Sequence, residues 1–147
     1  MKSLLTLTLV ALSSLLIAQP VLDVSNSVPQ VYDIFEQAGT LPVDPTEGGA
    51  DQTWDFSLSP QNGTQTTTVI SPLWTDYSDE YPASNRCFES EGLYTYYEAT
   101  SEGYTYHGGV ESGIVVVYSD PQVYWPLPFT FGDSHSDDFY GEYNAGG

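Results

Sequence analysis

Three runs in the second half of the chain decide its fold: Leu93-Tyr94-Thr95-Tyr96-Tyr97, Tyr104-Thr105-Tyr106-His107 and Ile114-Val115-Val116-Val117-Tyr118. β-branched and aromatic residues dominate each run, and Gly, Ser, Asp and Pro residues fill the breaks between them. Runs of this composition, separated by turn residues, are typical of β-strands joined by hairpins. The stretch from Cys87 to Tyr143 therefore predicts an antiparallel meander.

The flanking sequence extends the same pattern in both directions. Further strands are predicted at 31–35, 52–56, 64–70, 123–125, 127–131 and 134–143. Residues 75–85 are the least strand-like, and they predict either a long ordered loop or one helical turn closed by Pro82. The predicted fold class is all-β, with roughly seven to ten antiparallel strands forming a sandwich or an incomplete barrel.

The first eighteen residues have the organisation of a secretory signal peptide. A positive start at Lys2 precedes an apolar run from Leu4 to Ile17, and Ala18 supplies a small residue at the cleavage position. The alternative is a membrane anchor, but the run is shorter than the roughly 20 residues that span a bilayer. The sequence predicts a signal peptide at 1–18, a single β-rich domain at 19–147, and no membrane insertion after cleavage.

The charge of the chain is strongly one-sided. It has 20 Asp and Glu against 2 Lys and Arg, a formal net charge of −18, and losing Lys2 with the signal peptide makes this one unit more negative. Nucleic-acid binding depends on Lys and Arg contacts to phosphates, so we expect no nucleic-acid partner. The acids indicate high solubility, adaptation to salty surroundings, or cation binding.

Cys87 is the only cysteine, so an internal disulfide is excluded. Stability must then come from burial, and the chain has three Trp, twelve Tyr and six Phe for that purpose. Next to Phe88, the thiol is expected to be a small buried filler.

Three short segments together resemble a known group of exported proteins. They are Gly48-Gly49-Ala50-Asp51-Gln52-Thr53-Trp54-Asp55-Phe56-Ser57, the segment 77–85 ending Tyr-Pro-Ala-Ser-Asn, and Pro128-Phe129-Thr130-Phe131-Gly132-Asp133-Ser134. In this order, after a signal peptide, they resemble the N-terminal region of secreted Bacteroidota proteins that carry a type A sorting domain for type IX secretion. The resemblance implies a β-rich module without assigned catalytic residues, exported to the cell surface or the medium.

Such proteins end in a C-terminal sorting domain, and nothing after Tyr143 has that character. Two expectations follow from this departure. The chain is the N-terminal fragment of a longer protein that is secreted or displayed at the cell surface, or it stays in the periplasm.

Asp133, His135 and Asp137 form the densest cluster of candidate metal ligands. In a strand they share one face, and oxygen ligands at alternate positions suit Ca²⁺, while the histidine also permits a transition metal. The alternative is a solvated turn that leads into an outer strand face. No other cofactor is predicted.

Aromatic side chains are the candidate ligand-binding residues. Flat rings with polar tips stack on sugars or pack on a protein partner. We expect seven such rings to line one sheet face: Tyr94, Tyr96, Tyr104, Tyr106, Tyr118, Tyr124 and Trp125. Of these, Tyr94, Tyr96, Tyr104, Tyr106 and Trp125 are selected as ligand-binding residues. The alternative is that about half of these rings are core and the others form cross-strand pairs.

These observations favour an exported, non-enzymatic accessory or adhesion-type module that binds carbohydrate or protein. One alternative is a purely structural segment of a larger surface protein. A glycosidase is the third hypothesis, since Glu89 and Glu91 on one strand face have a suitable separation for two carboxylates. No residue is assigned a catalytic role.

The excess of negative charge predicts a salt-dependent stability. Because added salt screens the mutual repulsion of the acids, the melting temperature should rise by roughly 3–5 °C between low salt and about 0.5 M NaCl. Differential scanning calorimetry of the chain from residue 19 measures this shift. A flat or falling curve would show that the acids do not repel one another appreciably.

Overall fold

A computed structural model describes residues 20–41 and 59–144 of the chain. The predicted signal peptide at 1–18 and the predicted strand at 52–56 lie outside these ranges. The described elements are β1 (Val21–Leu22), α1 (Val24–Ser27), β2 (Ile34–Thr40), β3 (Gln61–Ile70), two short 3-10 turns (Pro72–Trp74 and Ser78–Glu80), β4 (Arg86–Ser90), β5 (Leu93–Ala99), β6 (Gly103–Glu111), β7 (Ile114–Pro126), β8 (Phe129–Thr130) and β9 (Tyr140–Asn144).

Seven of these strands form one antiparallel sheet in the order β2-β3-β4-β5-β6-β7-β9. The remaining two, β1 and β8, pair with each other as a separate two-stranded sheet. The prediction of an all-β antiparallel meander is confirmed. In the described part of the chain the large sheet stays open and does not close into a barrel.

Both faces of the large sheet are covered by irregular segments. Cys87 and Phe88 are consecutive in β4, so their side chains lie on opposite faces. The face that bears Cys87 packs against Tyr81, and we call it the loop face because residues 71–85 cover it. The face that bears Phe88 packs against Val28 and Leu127, and we call it the aromatic face.

Tyr81 attaches the covering loop to the loop face. Its ring stacks on that of Tyr96, with centroids 3.9 Å apart and planes 9° apart. Its phenol lies within hydrogen-bond distance of two backbone carbonyl oxygens, those of Gly109 at 2.9 Å and Val116 at 2.8 Å. Tyr96 in turn donates to Oγ1 of Thr75 at 2.8 Å. The sequence predicted either a long ordered loop or one helical turn closed by Pro82 at 75–85, and the segment is an ordered loop that includes one short 3-10 turn, Ser78–Glu80, before Pro82.

Gly108 makes room for this phenol. The pairing of β6 with β5 and with β7 shifts register beside it, so this is a bulged position. Its φ is +135°, and a Cβ here would lie 2.1 Å from the Val116 carbonyl oxygen and 3.0 Å from the Tyr81 ring. A side chain at this position would therefore force the backbone to move.

A segment before β2 covers half of the aromatic face. Asp23 caps the short helix α1 through the amides of Ser25 and Asn26. Arg86 then holds the end of the segment, donating from Nε to the Pro29 carbonyl at 3.1 Å and from its terminal nitrogen to Oε1 of Gln30 at 2.8 Å. The only Lys or Arg among the described residues thus has a structural role.

Several predicted strand boundaries are wrong. The strand predicted at 31–35 spans Ile34–Thr40 instead, and the one predicted at 64–70 begins earlier, at Gln61. β7 does not stop at 119–121 but runs on to Pro126, because register shifts beside Tyr118 absorb the Ser-Asp-Pro sequence. The last strand does not start at 134 but at Tyr140. Residues 133–139 are held beside β7 by side chains instead, since Asp137 accepts a hydrogen bond from the Val123 amide at 2.7 Å.

Across residues 20–41 and 59–144, no helix has the length and apolar character needed to cross a membrane.

Tyr81→Phe should destabilise the fold by about 1–3 kcal/mol, because the Gly109 and Val116 carbonyls lose their phenol donor. Gly108→Ala should cost more, since the added Cβ meets backbone. Urea unfolding measures both, and Tyr140→Phe serves as the matched control because Tyr140 is 58% exposed. A Tyr81→Phe protein as stable as the control would contradict this account.

Candidate functional site

Among the residues that the structure describes, nine aromatic side chains form a connected ladder on the aromatic face. Each ring lies within about 6.3 Å of another member, the closest parallel pair being Tyr97 and Tyr104 at 5.0 Å and 4°. The members are Phe35, Phe88, Tyr97, Tyr104, Tyr106, Tyr118, Tyr124, Trp125 and Phe139.

One half of this ladder belongs to the core. Val28 and Leu127 lie over Tyr104, which is only 4% exposed. Trp125 packs against the same cluster, and its Nε1 is buried without a hydrogen-bond partner in the described part of the chain. Tyr104 is therefore closed to a ligand, and Trp125 is half-buried against the same cluster.

The other half opens into a groove of about 460 Å³ that runs over β5, β6 and β7. Tyr106 and Tyr118 form one wall, with ring centroids 5.2 Å apart and planes inclined at 58°. The floor and the opposite rim are mostly apolar and are made by Leu93, Thr95, Gly109, Val110, Ile114 and Val116, with Glu111 and Ser112 at the hairpin end.

Gly109 sets the depth of the groove. A Cβ at this position would lie 2.7 Å from the Tyr94 carbonyl oxygen and 3.3 Å from the Tyr106 hydroxyl. The missing side chain lets the Tyr106 phenol lie over the strand. The floor beside it remains bare backbone.

Two further depressions continue the groove across the hairpin ends. The first, of about 340 Å³, shares Leu93, Glu111 and Ser112 with the groove and adds Glu91. The second, of about 550 Å³, shares Gln65 and Glu91 with the first and extends along the β2–β3 ribbon. The result is an extended path transverse to the strands, with an aromatic wall at one end.

The predicted aromatic residues divide between the two faces. Tyr104, Tyr106 and Trp125 lie on the aromatic face, whereas Tyr94 and Tyr96 lie on the loop face and pack against the 71–85 loop. The pairing of β5 with β6 explains the division. The register shifts between Tyr96 and Tyr97, so Tyr97 and not Tyr96 lies opposite Tyr106. Tyr106 therefore shares the face of Tyr97, whereas Tyr96 and Tyr94 point to the other side.

The sequence prediction missed the floor residues Thr95 and Gly109, and it did not select Tyr118 as a binding residue. The sequence does contain a signal for the groove floor. Two consecutive glycines, Gly108 and Gly109, interrupt a run that otherwise reads as a strand, and glycine inside a strand often marks a bulge or a close approach.

Each of the three candidate metal ligands contacts the protein itself: Asp137 and His135 both contact the Val123 backbone, and Asp133 contacts Thr130. Asp133 accepts hydrogen bonds from the amide and hydroxyl of Thr130, and Asp137 accepts one from the Val123 amide. Nε2 of His135 lies 2.9 Å from the Val123 carbonyl oxygen. Within the described ranges no group of three His, Cys, Asp or Glu side chains is close enough to hold a metal ion. Calcium binding stays a prediction.

The carboxylate pair considered for glycoside hydrolysis does not share a strand face. Glu89 lies in β4, where Oε1 accepts from the Gly92 amide at 3.3 Å, and Glu91 lies in the turn after the strand with a φ of +51°. His107 faces Glu98 on the loop side, with Nε2 3.5 Å from Oε2, which is ion-pair range without hydrogen-bond geometry. Neither histidine lines the groove.

Comparisons with known proteins give no match: no protein-family model, no curated protein and no solved structure corresponds to this chain.

Burial changes the acid–base behaviour of groups near the groove and in the core. It raises the pKa of the Tyr106 phenol to about 12, with the nearby Tyr118 and Tyr124 phenols adding to the shift. Burial also raises the pKa of the Cys87 thiol to about 12. A neutral, buried thiol is a packing group and a poor nucleophile, as the sequence indicated.

These raised pKa values predict a loss of stability in alkali. The neutral forms are favoured by folding, so their contribution is complete below the ordinary pKa, about 9 for the Cys87 thiol and about 10 for the Tyr106 phenol, and is lost as the pH rises to about 12. Melting temperature followed from pH 8 upward should fall across this window, while phenolate absorbance should rise. In neutral buffer, Cys87 should react with a thiol reagent only after denaturant is added. A thiol that reacts at once in the native protein would contradict this.

Proposed function

We propose that this protein is an exported, non-enzymatic module that binds carbohydrate in the groove beside Tyr106 and Tyr118. The observation that carries the proposal is the uncovered half of the aromatic ladder, where two half-buried tyrosine rings stand over a bare glycine floor. Tyrosine combines an apolar face, which stacks on a sugar ring, with a hydroxyl that bonds to sugar hydroxyls.

The dimensions of the groove favour a glycan over a folded protein partner. Its volume of about 460 Å³ lies within the roughly 300–1,000 Å³ that is usual for small-ligand sites. A stable protein interface covers about 800 Å² on each partner and is centred on well-packed anchors. The transverse path of connected depressions suits an extended oligosaccharide.

Export is part of this proposal and rests on the sequence. The predicted signal peptide at 1–18 and the resemblance to type IX secreted proteins both support a location at the cell surface or in the medium. If the protein keeps no sorting domain, the periplasm is the corresponding location.

A structural segment of a larger surface protein is the second candidate. The edge strand β2 favours it, since all seven of its residues are exposed and, in the described part of the chain, it pairs with β3 alone. The rings of Tyr32 and Trp74 lie nearby, with centroids 5.6 Å apart and planes tilted by 48°, and they are 74% and 59% exposed. A neighbouring domain would cover this edge.

A glycan array followed by titration calorimetry tests the carbohydrate proposal. For an oligosaccharide that binds the protein on the array, Tyr118→Ala should weaken the affinity by about tenfold or more, which is roughly 1.4 kcal/mol. The matched control is Tyr140→Ala, which also removes a tyrosine ring. Tyr140 lies in β9 and does not line the groove.

Both variants must keep the wild-type melting temperature within a few degrees for the comparison to count. If no glycan binds at millimolar concentration, or if the two variants bind equally well, the groove is not a carbohydrate site.

A further inference from the structure

We infer that the groove selects amine-bearing, positively charged oligosaccharides over neutral ones, and neutral ones over uronic-acid oligosaccharides. This inference rests on the proposed carbohydrate binding and names the ligand class. It follows from where the carboxylates lie along the path that continues the groove.

Two hairpin ends place a carboxylate beside that path. Glu111 closes β6 at the rim of the groove, and Glu91 lies in the β4–β5 turn on the adjoining depression, which both residues line. The turn of Glu91 is fixed, because Oε1 of Glu89 accepts a hydrogen bond from the Gly92 amide. Leu93 lines both the groove and this depression, so the path also has an apolar side chain.

Within residues 20–41 and 59–144, no cationic side chain balances these two charges. Arg86 is the only Lys or Arg among the described residues, and it is bound to Pro29 and Gln30 on the covered half of the face. The one ion pair found in the described ranges joins His107 to Glu98, away from the groove lining. The net charge of −18 adds a long-range field of the same sign.

The site therefore combines an aromatic wall at one end with unbalanced carboxylates at the other. A glucosamine unit stacked on Tyr118 leaves following units over Leu93, where their protonated amines meet Glu91 and Glu111. A uronic acid in the same position would bring two like charges together. The preference comes from Coulomb attraction at a partly exposed site, so it must weaken with salt.

The experiment compares three hexasaccharides of similar size by titration calorimetry in slightly acidic, low-salt buffer. They are the hexamers of glucosamine, N-acetylglucosamine and galacturonic acid. In such buffer the glucosamine amines are protonated and the carboxylates are ionised. We expect the glucosamine hexamer to bind about tenfold tighter than the N-acetylated one, and the galacturonic hexamer to bind weakest. The difference should largely disappear in about 0.5 M NaCl.

Glu91→Gln combined with Glu111→Gln should reduce the preference to about threefold or less while keeping the affinity for the N-acetylated hexamer. The control, Glu36→Gln combined with Glu102→Gln, removes the same charge from exposed positions off the path and should keep the preference. A preference that survives in the first variant would overturn the inference, because the net charge alone would then account for it.

The two proposals fail in different ways. If the N-acetylated hexamer binds as tightly as the glucosamine hexamer, and binding is lost in Tyr118→Ala, the groove is a carbohydrate site and the charge selection is wrong. If none of the three hexamers binds, both proposals are wrong.

Discussion

The fold depends on one tyrosine phenol that ties an irregular loop to the backbone of the sheet. Tyr81 reaches the carbonyl oxygens of two neighbouring strands, at Gly109 and Val116, and lies against the ring of Tyr96. No second large sheet packs on this one in the described ranges, so loops must supply the apolar cover on both faces. A loop has few backbone bonds of its own to offer, and side-chain contacts of this kind replace them. Gly108 is the sequence requirement for this contact.

The sequence was sufficient to predict the class of fold and most of the strands. Alternating β-branched and aromatic runs with turn residues between them leave few other structures for residues 87–131. Strand continuity through Pro121 was not predictable in the same way, because it depends on register shifts that follow from pairing with β6 and β9. The extended 133–139 segment has the composition of a strand, yet Asp137 and His135 bind the Val123 backbone in place of a regular ladder.

The candidate site was only half predictable, for a related reason. Composition showed that an aromatic face would exist, but the register of β5 against β6 decides which tyrosines share it, and that register shifts at the bulge beside Gly108. Contacts between segments that are distant in the sequence then decide which of these rings remain exposed. Arg86 holds the segment that closes off Tyr104, and no local pattern links residue 86 to Pro29 and Gln30.

The order of the strands also bears on how the chain reaches its folded state. From β3 to β7, each strand of the large sheet pairs with the next one along the chain, and turns of a few residues join β4, β5, β6 and β7. Such short closures carry a small entropic penalty, and topologies rich in local pairings fold quickly. The central hairpins are thus expected to assemble first, with the stretch before β2 and the loop around Tyr81 settling afterwards. Until that late step, the tyrosine ladder would be accessible along its whole length, and aggregation would compete most strongly in that interval.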